Sequence, residues 1–130
     1  MIVVDASIIV SALSDDGSDG ERIRTRLMGE TLVAPELLDV EVLSVWRRHV
    51  RGGMLPAKRA EQALGDLAVL PLRRVPHQPL LHRVWELRDD LTAYDATYVA
   101  LAEALETSLL TADEALSRSA GPQCEILLFR

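Results

Sequence analysis

Apolar and polar positions along the chain fall into short apolar runs that alternate with stretches of helical spacing. Ile2, Val3 and Val4 make a β-branched run that stops at Asp5, two small residues follow, and a second apolar run covers Ile8 to Val10. That reads as a short buried strand, a sharp turn and a helix. Residues 14–20 are polar and contain glycine, and a helical stretch over 21–28, with Ile23 and Leu27 four apart, ends at Gly29. Residues 31–34 predict a second strand. Pro35 is suited to the first turn of a long helix that runs to about Val50 and is stopped by Gly52 and Gly53.

Pro56 opens a further helix through Ala60, Ala63, Leu64 and Leu67, closed by Pro71. Residues 72–75 are a strand candidate, and a helix is expected over about 79–88. Residues 91–106 are the most helix-favourable stretch, rich in Ala and Leu without Gly or Pro, and apolar on nearly every face. A strand over 108–111, a short helix over 113–120, a turn at Gly121-Pro122 and a last strand over 125–129 complete the pattern. Strands alternating with helices imply parallel pairing through right-handed crossovers. The expected fold is therefore α/β: a three-layer α/β/α arrangement on a mostly parallel sheet of four to five short strands, with residues 1–130 forming one domain.

Composition narrows the picture. The chain has 130 residues, 48% of them apolar but only 4% aromatic, so its core must be built from Leu, Val and Ala. Its net charge of −6 argues against binding nucleic acid through a broad basic face. An anionic substrate would need metal ions or a local basic patch. The single cysteine, Cys124, has no internal disulfide partner and lies in an apolar run, as a small buried hydrophobe would. The first residues lack a cationic leader, and no run reaches the ~20 apolar residues of a membrane span. A soluble, cytoplasmic protein is expected.

Four acids fall where this layout would bring them to one end of the sheet: Asp5, Glu41, Asp95 and Asp113. Asp5 and Asp113 each follow a strand and precede a helix, so both also suit N-caps. Asp95, three residues after Thr92, also suits a capping role in the first turn of its helix. Glu41 sits mid-helix on a stripe with Leu37, Leu38 and Val45, where no cap is needed. Asp95 shares its face with Leu91, Tyr98, Val99 and Ala102. Buried acids need a cation, several hydrogen bonds or a proton. No Lys or Arg lies within two residues of Asp5, Asp95 or Asp113, so a divalent ion is the economical counter-charge. Oxygen-only ligands suit Mg²⁺ or Mn²⁺, whereas His49, His77 and His82 lack the spacing of a zinc site. Ser7, Thr92 and Thr111 are placed to support the acids through hydroxyls, or to cap helices.

Four segments carry a resemblance. Ile2-Val-Val-Asp-Ala-Ser7, Ala34-Pro-Glu-Leu-Leu-Asp-Val-Glu-Val-Leu-Ser44, Leu91-Thr-Ala-Tyr-Asp-Ala-Thr-Tyr-Val-Ala-Leu-Ala-Glu103 and Leu109-Leu-Thr-Ala-Asp113 resemble the successive motifs of PIN-domain proteins. Within that family they are closest to the VapC toxins of bacterial VapBC toxin–antitoxin pairs. The resemblance implies a metal-dependent endoribonuclease with Mg²⁺ or Mn²⁺ held by Asp5, Glu41, Asp95 and Asp113. It also implies an RNA substrate, a VapB-type antitoxin partner and a homodimer. The fourth acid is the most variable in the family; some relatives carry a further acid where Ala115 stands here, and Glu114 would point elsewhere.

Arg47, Arg48 and Arg51 follow Glu41, and Arg22, Arg24 and Arg26 lie on the preceding helix; they suit solvated helix ends or RNA phosphates. Trp46 and Trp85 suit a core or an interface. Other readings are a haloacid-dehalogenase-like phosphatase with Asp5 as nucleophile, a receiver-like signalling domain and a catalytically silent partner-binding domain. The first would want an acid where Ser7 stands, and the second an acidic pair near the first strand.

Overall fold

The structure, a computed structural model describing residues 1–130, has five strands and seven α-helices. In chain order these are β1 Ile2–Val4, α1 Ala6–Ser14, α2 Ser18–Leu27, β2 Leu32–Pro35, α3 Leu37–Arg51, α4 Ala57–Val69 and β3 Leu72–Val75. A 3₁₀ turn, Gln78–Leu80, then leads to α5 Leu81–Glu86, α6 Ala93–Ala104, β4 Leu109–Thr111, α7 Glu114–Ser117 and β5 Ile126–Leu128. All strand pairs are parallel in the order β3-β2-β1-β4-β5, with Val3 opposite both Val33 and Leu109. The expected parallel α/β architecture is present, at the upper end of the expected strand number.

The connections place the helices. The chain steps outward from β1 to β2 to β3, then returns across the sheet to β4 and continues to β5. With right-handed crossovers, that reversal puts the first helices on one face and the later ones on the other. Helices α1, α2, α3 and α4 accordingly pack on one another, while α6 packs on β1, β2, β4 and α5. Seven consecutive α6 residues, Ala96 to Ala102, are buried, as its all-round apolar pattern requires. On α3 the buried residues are Leu38, Val42 and Trp46, one every four, which leaves the opposite side to solvent. Each fully buried Leu, Ile or Val contributes about 1.5–3 kcal/mol, and thirty buried apolar residues form one continuous cluster.

Local departures from the sequence expectation have local causes. Pro35 does not open α3; it closes β2 opposite Val75, a strand end where its missing N–H removes no ladder bond, and Glu36 N–H then bonds Val75 O. Helix α7 is four residues long rather than eight, because the Ser117 and Ser119 hydroxyls turn back to the carbonyls of Glu114 and Leu116. Helix α2 starts earlier than expected, at Ser18, where Gly20 passes so close to Asp15 that an added Cβ would lie 1.9 Å from its carbonyl oxygen. Cys124 is half-buried and unbonded, packed against the core rather than enclosed within it. Trp46 is a core residue, whereas Trp85 is 66% exposed with Arg88 over its ring. No helix is long and apolar enough to cross a membrane.

Candidate active site

The reversal of strand order lies between β1 and β4, and in open parallel sheets the crevice beyond the strand C-termini at such a point is where ligands bind. A pocket of about 330 Å³ lies there, lined among others by Asp5, Ser7, Glu41, Asp95, Tyr98 and Asp113. All four candidate acids line it, delivered by four different elements. Asp5 follows β1, Glu41 comes from the second turn of α3, Asp95 from the first turn of α6, and Asp113 follows β4. No Lys, Arg or His is among the lining residues.

Asp5 is the most enclosed acid, only 6% exposed. Its Oδ1 accepts from Ser7 Oγ at 2.5 Å and from Ile8 N at 3.4 Å, and its Oδ2 accepts from Thr111 Oγ1. The two hydroxyls are themselves fixed: Ser7 Oγ accepts from Ala112 N at 3.1 Å, and Thr111 Oγ1 from Asp113 N at 3.0 Å. This network ties the C-terminal ends of β1 and β4 together around one carboxylate. Asp5 therefore caps α1, the N-cap reading open in the sequence, and also lines the pocket. Its pKa is raised, chiefly by burial and against the hydroxyl bonds, with the Asp95 charge adding to the rise.

Glu41 Oε1 accepts from Tyr98 O–H at 2.7 Å, which joins α3 to α6 across the pocket. Burial and then the Asp95 and Asp5 charges raise the Glu41 pKa, outweighing the Tyr98 bond. Burial and Glu41 together hold the Tyr98 hydroxyl far above its ordinary pKa, so it is a fixed donor. Asp95 is half-buried and its pKa is raised by burial and by Asp113. Thr92 Oγ1 accepts from Asp95 N at 3.1 Å, so Thr92 caps α6. Asp113 is exposed, and its Oδ1 caps α7 by accepting from Ala115 N at 2.9 Å and Leu116 N at 3.3 Å.

In this arrangement no three acid, histidine or cysteine side chains converge closely enough to enclose an ion. The donor chemistry nonetheless fits a hard divalent cation: every charged group lining the pocket is a carboxylate, and three of the four have raised pKa values to which a neighbouring acid contributes. Glu114 faces away, toward Arg118 and Arg130. Of the basic residues, Arg24 bonds the Ala12 and Asp15 carbonyls and Arg26 pairs with Glu30, so both support local structure. Sequence reasoning missed Tyr98 as the partner of Glu41, because an apolar stripe gives no sign of a bond between residues 57 positions apart.

Comparison with known proteins agrees with this architecture. The PIN domain family matches residues 2–122. Ribonuclease VapC9 of Mycobacterium tuberculosis is 44% identical over 126 residues, covering 97% of this chain and 96% of the relative. Ribonuclease VapC1 of the same organism is 43% identical over 129 residues, covering 98% and 97%. Among solved structures, VapBC2 from Rickettsia felis superposes over the full length of both chains with a TM-score of 0.67 at 17% identity. VapC20 of M. tuberculosis gives a TM-score of 0.67 at 15% identity over 90% of this chain and 93% of that one. The last two similarities carry the fold alone.

Proposed function

The chain belongs to the PIN-domain family, and from that premise we propose that it is the endoribonuclease toxin of a toxin–antitoxin pair, with residues 1–130 as its single catalytic domain. The observation that carries this reading is the pocket itself: four carboxylates from four elements, with no cation to offset them. A divalent ion, Mg²⁺ or Mn²⁺, would be held by Asp5 and Asp95 with Glu41 and Asp113 completing the site. When bound, such an ion supplies the positive charge that polarises a phosphodiester and acidifies water.

The chain's own residues then have separable tasks. Ser7, Thr111 and the Ile8 amide fix the direction of Asp5, so that its orientation costs no reorganisation when substrate arrives. Glu41, anchored through one oxygen by Tyr98, is the proton acceptor for the attacking water; its raised pKa brings it closer to the working pH of a general base. Water oxygen bonds to phosphorus as its proton passes to Glu41. The phosphorus–ribose oxygen bond breaks with its electron pair leaving on the ribose oxygen, and that oxygen takes a proton from solvent water to become the hydroxyl of the second product. Asp113 caps α7 through its Oδ1 alone while lining the pocket. Asp5 is ill placed as a phosphatase nucleophile, because it is nearly enclosed and both its oxygens accept hydrogen bonds. A VapBC complex among the structural neighbours supports control by a VapB-type antitoxin; action in the cytoplasm as a homodimer is the further expectation of the family resemblance.

The test is to incubate the purified chain with labelled single-stranded RNA in Mg²⁺ or Mn²⁺, with EDTA, and separately with a small phosphomonoester. Cleavage of RNA that stops in EDTA and returns with excess metal is expected. EDTA-resistant cleavage, or phosphomonoester turnover without RNA cleavage, overturns the reading.

A further inference from the structure

A second pocket, of about 420 Å³, adjoins the acidic one and shares Glu41 and Val45 with it. Its other walls include Leu37, Val40, Arg48 and Tyr94. Tyr94 precedes Asp95 in the first turn of α6, and its ring is 63% exposed although large aromatic side chains are ordinarily covered. Arg48 lies two turns along α3 from Glu41 and makes no ion pair or side-chain hydrogen bond, unlike Arg26, Arg74 and Arg83, whose guanidinium groups are engaged by carboxylates. An exposed ring, aliphatic walls and a free guanidinium at the edge of an acidic pocket match one nucleotide. The base has a face to stack on, and the adjoining phosphate has a cation.

Resting on the nuclease reading above, we infer that Tyr94 and Arg48 form a subsite for one unpaired nucleotide next to the scissile phosphate, the base stacked on Tyr94 and a phosphate held by Arg48. A base in a helical stack cannot present its face to a side chain, so the substrate must be single-stranded or splayed out at that position. Tyr94 and Arg48 are positioning residues; the acids do the chemistry.

The experiment uses a short fluorescein-labelled single-stranded RNA and the same RNA with one abasic site walked along it. Cleavage is followed for KM and kcat, and binding by anisotropy in an Asp95→Asn background. Tyr94→Ala is expected to weaken KM and binding about tenfold or more, with Tyr94→Phe and Tyr94→Trp close to wild type. One abasic position should cost the wild type a similar factor and cost Tyr94→Ala almost nothing. Arg48→Ala should weaken every RNA alike and lower the slope of log affinity against log salt by about one.

Cleavage with no Tyr94 or abasic dependence overturns the subsite and leaves the nuclease standing. RNA binding that keeps the Tyr94 dependence in a protein that never cleaves removes the nuclease and leaves the subsite. If Tyr94→Ala instead changes only the sedimenting mass of the protein, the face is a contact between copies, and the subsite is overturned. A chain that neither binds nor cuts RNA removes both.

Discussion

Helix α6 carries an acid near each end, and the two live in opposite surroundings. Asp95, in its first turn, faces other carboxylates at the C-terminal end of the sheet; Glu103, in its last turn, faces Arg83 at the N-terminal end. The helix dipole alone would favour a charged Asp95 and disfavour a charged Glu103, by about 0.3–1 kcal/mol each. The pKa shifts run the other way. Burial and Asp113 raise Asp95. Burial works to raise Glu103 too, but the Arg83 fork at 2.7 and 3.1 Å and the Gln123 N–H bond together hold it below its ordinary value.

Partners, then, decide what each charge costs, and helix position does not. Cavity size does not mark the site either: the cleft beside Glu103, lined by Glu106, Cys124 and Glu125 among others, has a volume of about 410 Å³ against about 330 Å³ for the acidic pocket. What separates the two ends is that the structural acid comes with its own cation and the others do not.

The largest effect that could break this contrast is on catalysis. Asp95→Asn should lower RNA cleavage about a thousandfold or more, while Glu103→Gln leaves it within about twofold. Stability should respond in the reverse order. Metal-free Asp95→Asn should melt slightly above the wild type, because a poorly compensated charge has been removed. Glu103→Gln should melt about 3–8 °C lower, the shift expected for losing about 1–2 kcal/mol in a chain of this length. Calorimetry beside the cleavage assay reads both, and equal loss of activity in the two variants would remove the distinction.

A second, smaller effect sharpens it. A ligand that binds only the folded state stabilises it by about 2.7 kcal/mol at a hundred times its dissociation constant. Mg²⁺ or Mn²⁺ should therefore raise the melting temperature of the wild type and of Glu103→Gln by similar amounts, reversibly with EDTA. The rise should be largely absent in Asp5→Asn and Asp95→Asn. Retention of the full shift in both would place the ion elsewhere.

How much of this was legible in the sequence follows the range of each interaction. The strand-end acids Asp5 and Asp113 and the inward acid Glu41 could be read from local pattern, since a strand terminus and a helix stripe are set by a few neighbours. The expected roles of Ser7 and Thr111 as hydroxyl supports agree with the bonds they make to Asp5. The order of the sheet was not readable, because the return from β3 to β4 passes over two strands and depends on pairing between distant segments. Tyr98 bonding Glu41 and Arg83 bonding Glu103 were invisible for the same reason: each pair meets only once helices from different parts of the chain have packed. Pro35 misled because the residue suits both a strand end and a first helical turn, and only the pairing with Val75 chooses between them.

The smallest effect is a pH dependence with opposite signs at the two ends of α6. Asp5, Glu41 and Asp95 have raised pKa values in the folded protein against ordinary values of 3.8, 4.5 and 3.8. Between its ordinary and its raised value, the folded state binds more protons than the unfolded one, so stability falls as pH rises through that window. Their contribution is complete below the ordinary carboxylate range and is lost on the way to neutrality. Glu103 behaves in the reverse sense: its contribution is present above its ordinary value of 4.5 and disappears as pH falls through its lowered one. The metal-free wild type should therefore melt at higher temperature as pH drops from neutral toward the upper edge of the carboxylate range, and lower again at more acidic pH. Asp95→Asn should flatten the first limb, Glu103→Gln the second, and a saturating divalent ion should suppress the first alone, because the ion takes over the role of the protons. A melting temperature that only falls as pH is lowered from neutral through the carboxylate range in the metal-free protein, with the same profile in Asp95→Asn, would show that the pocket acids are already compensated, and that the two ends of α6 are alike.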